Sequence, residues 1–183
     1  MLQTKRADFS GIAARFHISP VTARIIRNRD VEGETAIDRY LNGTLDQLYD
    51  PHLMKDMDKA ASLILEKIQA GARIRIVGDY DIDGVCSTYL LYRGLSRCGG
   101  HVDYQIPERI RDGYGINTIV TCDNGIAALE QVRLAKELGM TVIVTDHHEV
   151  VRAEDGSQIL PEADAVVNPH RDDCPYPFAG ICG

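Results

Sequence analysis

Seven side chains able to hold a hard cation follow three short apolar runs. Asp79, Asp81 and Asp83 come after Ile74-Arg-Ile-Val77. Asp123 comes after Thr118–Cys122, and Asp146, His147 and His148 come after Thr141–Thr145. Buried parallel strands read as such apolar runs, and in open α/β sheets ligands bind beyond the carboxyl ends of the strands. Three strands would thus deliver five aspartates and two histidines to one crevice. There they repel one another unless cations hold them. Carboxylates suit Mg²⁺ or Mn²⁺, and an added imidazole tips the choice toward Mn²⁺. Two ions about 3.5–4 Å apart clamp a phosphoryl group and lower the pKa of a water, which is the machinery of phosphoester hydrolysis.

Taken singly, each cluster has a plainer reading. An aspartate run is a solvated loop or a calcium-binding turn, although this one lacks the twelve-residue EF-hand pattern. A His-His pair is commonly incidental, and Asp123-Asn124-Gly125 is a turn signal. The metal reading rests on all three occurring together at strand ends. Spaced i, i+2, i+4, the three aspartates of the first cluster point the same way if extended. Gly84 then lets the chain turn into a helix whose N-terminus favours phosphate. Cys122 reads as a small core thiol. His17, His52 and His101 read as surface or structural. Arg109 and Arg111, in a glycine-flanked loop, are either phosphate contacts or exposed charge.

The elements positioning these groups follow from periodicity and punctuation. The region 8–50 reads as weakly packed helices, one opened by Ser19 or Thr22 and another from Glu34 to Leu41. Its arginines (Arg15, Arg24, Arg27, Arg29) form either a solvated face or a contact for a polyanion. A helix over 54–68 ends at Gly71. Strands are expected at Arg73–Val77, 102–106, Thr118–Cys122, Thr141–Thr145 and 163–167, with helices at 85–97 and 126–138. The alternation predicts an α/β fold, a doubly wound and mostly parallel sheet, in a domain over 71–183 after a helical segment over 1–70. Only residues 107–117 separate the second and third strands, which is short for a parallel crossover between neighbours. Either these strands are not neighbours, or a helix is missing between 117 and 118.

The bulk numbers agree with one such domain. The chain has 183 residues, 44% of them apolar, and a formal charge of -7. That balance argues against a broad basic surface. No run is apolar and long enough to span a membrane, and the N-terminus lacks a secretory core. Five cysteines without Cys-x-x-Cys spacing read as reduced thiols of a cytoplasmic protein.

The motifs resemble the DHH phosphoesterase superfamily, named for the triplet at Asp146-His147-His148, and within it the RecJ-type single-stranded-DNA-specific exonucleases. Carrying the resemblance from about Asp50 onward are Leu53-Met-Lys-Asp-Met57, Val77-Gly-Asp-Tyr-Asp-Ile-Asp-Gly84 and Gly113-Tyr-Gly115. Asp123-Asn-Gly-Ile126, Thr145-Asp-His-His-Glu149 and Val167-Asn-Pro-His-Arg-x-x-Cys-Pro-Tyr-Pro-Phe178 complete the pattern. The resemblance implies 5′→3′ degradation of single-stranded DNA to mononucleotides with Mn²⁺ or Mg²⁺, in repair and recombination. Repair helicases or single-strand-binding proteins would be its partners. Asp79, Asp81, Asp83, Asp123 and His147 would be metal ligands. Asp146 would orient the imidazoles, and His148 would contact the scissile phosphate. Arg109 and Asn168 are the candidate contacts to substrate phosphate. Against the family pattern, a helix before the Asp123 strand is absent, and so is a further metal-binding aspartate beyond Gly183, so the chain is expected to be a fragment.

Two alternatives stay open. One is a sister DHH hydrolase acting on short RNA, cyclic dinucleotides or pyrophosphate. Those relatives open the first motif with His-x-x-x-Asp-x-Asp, whereas Val77 stands four before Asp81 here. The other is a non-catalytic scaffold, which retention of the motif ligands disfavours.

Overall fold

The computed structural model describes residues 5–106 and 115–182. They fall into two compact units, Met1–Leu48 and Tyr49–Gly183.

The first unit contains α1 (Phe9–Phe16), α2 (Pro20–Asn28) and α3 (Glu34–Asn42). Ser19 caps α2, its hydroxyl accepting the Thr22 N–H at 3.0 Å with Pro20 as the first helical residue. Ala13, Ala23, Ile26 and Ile37 are its buried apolar residues. The arginines are engaged inside the unit. Arg15 pairs with Glu34 and Arg27 with Glu32. The Arg24 guanidinium lies 4.4 Å from the Phe9 ring centroid, and Arg29 donates to the Tyr40 hydroxyl.

The second unit holds the sheet. A short 3-10 turn at Leu45–Gln47 closes the first unit, and another at Pro51–Leu53 precedes α4 (Met57–Gln69) in the second. Then come β1 (Arg73–Val77), α5 (Ile82–Arg97), β2 (His101–Gln105), β3 (Thr118–Cys122), α6 (Leu129–Glu137), β4 (Thr141–Thr145) and β5 (Ala165–Val167). The five strands are all parallel, in the order β2-β1-β3-β4-β5. The helix expected to close an N-terminal segment at residue 70 belongs with this unit, because α4 packs on β5. β2 and β3 are not neighbours, since β1 lies between them, and residues 107–114 of the segment joining them lie outside the described residues.

Alternation along the strands separates two apolar layers. Ile74, Val120, Ile143, Ala165 and Val167 face α4 and α5, while Val142, Val144 and Val166 face α6. Ile74, Ile76, Val120, Ile143 and Val144 are essentially inaccessible. Each such side chain contributes roughly 1.5–3 kcal/mol of burial. Between α4 and α5 an apolar cleft of about 560 Å³ runs toward Asp146 and His147.

One expected segment differs in a way that matters. The chain does not stay extended through the first aspartate cluster. Asp81 caps α5, its carboxylate accepting the Gly84 N–H at 3.0 Å. Asp83 therefore lies in the first helical turn. Capping satisfies a backbone donor that an extended run would leave open. Gly84 is required by space, because a Cβ there would stand 2.7 Å from both Cβ and carbonyl oxygen of Asp79.

Candidate metal centre

β1, β3 and β4 are consecutive in the sheet and in register, Val77 opposite Thr121 and Cys122 opposite Thr145. Their next residues therefore emerge side by side at the carboxyl edge. The chain turns one way from β1 to β2 and the other way from β3 through β5. That reversal opens a crevice where ligands of doubly wound sheets bind.

Asp123 is the centre of the cluster. Its N–H extends the ladder to the Thr145 carbonyl at 3.1 Å. It then adopts a left-handed backbone, φ 59°, which aspartate tolerates better than most residues. Its side chain is 1% exposed, yet neither carboxylate oxygen has a hydrogen-bond partner. Burial first, then the charges of Asp83 and Asp81, push its pKa up.

His147 completes the geometry. Its Nδ1 lies 2.8 Å from the Ile181 carbonyl, which only accepts, so Nδ1 carries the proton. In the neutral ring, the form a metal binds, Nε2 then carries the lone pair. It stands 2.8 Å from Oδ1 of Asp123 and 3.7 Å from Oδ2 of Asp83. Nε2 is buried and makes no hydrogen bond despite that short separation. Lone pairs at this distance repel unless they share a cation, so three orphaned atoms converge as ligands do. The residues present fit a divalent metal.

Two groups of ligand atoms each gather within 4.8 Å: Asp79, Asp81 and Asp123, and Asp123, His147 and His148. Asp123 belongs to both. Asp83 reaches the cluster from α5 through its approach to His147.

Asp146 is occupied otherwise. Oδ2 accepts the Ile126 N–H at 2.9 Å; Oδ1 accepts the backbone N–H groups of His147 and His148 and stands 2.7 Å from Nδ1 of His148. It pins the turn and one imidazole, and the bond to Nδ1 pushes the His148 pKa up. Cys122 makes its contact inward, 3.3 Å from the Thr88 hydroxyl. Burial raises its thiol pKa, as a core residue requires.

Two expected phosphate contacts fare differently. Arg109, with Arg111, lies outside the described residues. Asn168 is 0% exposed, with Nδ2 on the His148 carbonyl and Oδ1 on the His170 N–H. As placed, its amide is fully engaged inside the protein and exposes no surface. What the sequence missed is the role of backbone atoms, the Ile181 carbonyl above all. It also missed a buried ionic anchor. Arg171, 8% exposed, donates to Asp56 Oδ2, to the Val166 carbonyl and in a fork to both oxygens of Asp173. Asp56 and Arg171 lie in two of the segments that carry the family resemblance, and their bond ties the two together.

The fold and centre define an α/β protein with a carboxylate–imidazole cluster at the switch point of a parallel sheet. More narrowly, the family model that matches, over residues 73–183, is the DHH family, N-terminal domain, and the chain belongs to that family. It is similar to the single-stranded-DNA-specific exonuclease RecJ of Bacillus subtilis (strain 168), with 36% identity over 94% of this chain and 23% of that protein. The same-named protein of Escherichia coli (strain K12) is 32% identical over 91% of this chain and 30% of its own length. Among solved structures, RecJ from Thermus thermophilus in complex with Mn²⁺ matches at a TM-score of 0.62, with 30% identity over 94% of this chain and 25% of that one. A second, exonuclease RecJ bound to manganese, matches at 0.57 with 32% identity over 69% of this chain and 34% of that one. The chain thus spans less than a third of the curated relatives' length.

Proposed function

We propose that this chain is the metal-binding part of an exonuclease acting on single-stranded DNA from its 5′ end, with Mn²⁺ or Mg²⁺, in repair and recombination. The observation that carries the reading is the orphaned trio of Asp123 Oδ1, Asp123 Oδ2 and His147 Nε2. Asp79, Asp81, Asp83, Asp123 and His147 would hold the metal, two ions if Asp123 serves one with Asp79 and Asp81 and the other with His147 and Asp83. Divalent ions bound there supply Lewis-acid polarisation of a phosphoryl oxygen and an acidified water. The chain's own residues do the rest. The Ile181 carbonyl keeps the His147 proton on Nδ1, so Nε2 stays a donor of electrons. His148, tied through Nδ1 to Asp146, keeps Nε2 for a phosphate oxygen, and its raised pKa favours the protonated, hydrogen-donating form. No side-chain nucleophile is needed.

Substrate class and cellular setting come from the kinship. A relative named as specific for single-stranded DNA supports that substrate, and such specificity calls for a helicase or a strand-binding protein to present the strand. A cytoplasmic location accords with action on DNA and with the lack, among the described residues, of a helix long and apolar enough to cross a membrane. The test is incubation with Mn²⁺ and 5′-labelled single-stranded DNA, alongside RNA and pyrophosphate. Release of labelled mononucleotide from DNA alone is expected. Turnover of short RNA or pyrophosphate alone would move the protein to a sister branch and overturn the substrate.

A further inference from the structure

Asn168 directly follows β5, the strand paired with β4, and Asp146 N–H continues that ladder to the Val167 carbonyl at 3.0 Å. The two loops leaving these strands therefore start side by side. One carries Asp146, His147 and His148; the other carries Asn168, His170 and Arg171. Asn168 Nδ2 donates to the His148 carbonyl at 2.9 Å, and its Oδ1 accepts the His170 N–H at 2.7 Å. A carbonyl can only accept and an amide N–H only donate, so the orientation of the Asn168 amide is fixed. No other side chain of this size offers one donor and one acceptor to that pair. Aspartate would set an acceptor against a carbonyl in a site without water access.

The second loop is a firm support. Arg171 ties it to β5 and to Asp56, and Nδ1 of His170 stands 3.2 Å from Glu149 on the first loop. The His148 ring is held by Asp146 and its backbone by Asn168, so both ends of the residue are constrained.

We propose that Asn168 is a positioning residue of the metal centre: its buried amide fixes the Asp146-His147-His148 turn and so the distance of both imidazoles from Asp123. This rests on the metal reading above. Asn168 acts on the turn that carries the ligand His147, and residues that hold ligands in place typically change metal affinity about 10–100-fold when removed.

The experiment measures Mn²⁺ binding by electron paramagnetic resonance on the whole chain, for wild type, Asn168→Ala, Asn168→Asp and Asp123→Asn, with circular dichroism to establish folding. The expected result is loss of binding in Asp123→Asn and a roughly 10–100-fold weaker affinity in the folded Asn168 variants. Wild-type affinity in a folded Asn168 variant, with Asp123→Asn impaired, overturns the positioning role and leaves the metal reading standing. Unchanged affinity in Asp123→Asn overturns the metal reading and the inference with it. If the Asn168 variants do not fold, Mg²⁺ is titrated into the wild-type chain by NMR. The Asn168 side-chain amide should then shift with the same midpoint as the His147 and His148 rings. An amide that stays in place while the rings move overturns the inference.

Discussion

Asp123 carries a conflict between stability and binding. Its carboxylate is buried with both oxygens unsatisfied, and an unpartnered charge of this kind costs on the order of 1–3 kcal/mol. Asp123→Asn removes the charge, so the metal-free variant should be more stable than the wild type by about 1 kcal/mol in urea unfolding, while Mn²⁺ affinity collapses. The pH dependence has a definite sign. Burial, then Asp83 and Asp81, raise the folded pKa of Asp123. Its contribution to stability is therefore fully present below the unfolded value of about 3.9 and is lost as pH rises through the folded value. The gap between metal-free variant and wild type should open over that rise, and saturating Mn²⁺ should close it. A variant no more stable than wild type at neutral pH would contradict the account. For Asp146→Asn, loss of the carboxylate bonded to Nδ1 should lower the His148 pKa, read by NMR of its ring. An unmoved His148 titration would exclude Asp146 as the cause. The residue types of this centre were legible in the sequence. The tautomer of His147 was not, because a main-chain carbonyl 34 positions away decides it.

At the scale of elements, the turn from β1 into α5 is the most constrained joint. Gly84→Ala would drive a Cβ against Asp79 and should cost about 1–3 kcal/mol while displacing a candidate ligand. Loss of Mn²⁺ affinity greater than the loss of stability would mark the displacement. The Arg171 anchor is the other joint. Arg171→Ala leaves Asp56 without its ion-pair partner, with only the Val166 N–H and nearby Lys59, and should destabilise the fold by about 3 kcal/mol in urea melts; a loss under about 1 kcal/mol would show that the pair is not buried in solution. Burial raises the Asp56 pKa, but the Arg171 bond, the Val166 N–H and nearby positive charge outweigh it and leave the value lowered. The anchor's contribution is present above the unfolded carboxyl value and is lost as pH falls through the folded one. Strand positions were readable because β3 and β4, buried on both faces, leave continuous apolar runs, while β1 alternates buried Ile with more exposed residues. The start of α5 was not, since Asp81 suits either an extended spacing or a helix cap, and the cap contact decides.

At the scale of the whole molecule, every candidate ligand lies in the unit Tyr49–Gly183. A chain beginning at Tyr49 should keep the Mn²⁺ affinity of the longer one; a large loss would give the N-terminal helices a part in the centre. The amino-acid sequence by itself determined the donor set and the alternation of strands and helices, because side-chain chemistry and hydrophobic periodicity are local properties. The placing of β1 between β2 and β3 was decided only by the tertiary structure. So were the burial of Asn168, the engagement of its amide with His148 and His170, and the meeting of Asp56 with Arg171 across 115 residues. These depend on pairings between segments distant in the chain, where the free energy of contact is set by what the rest of the fold brings alongside and not by the residues' own spacing.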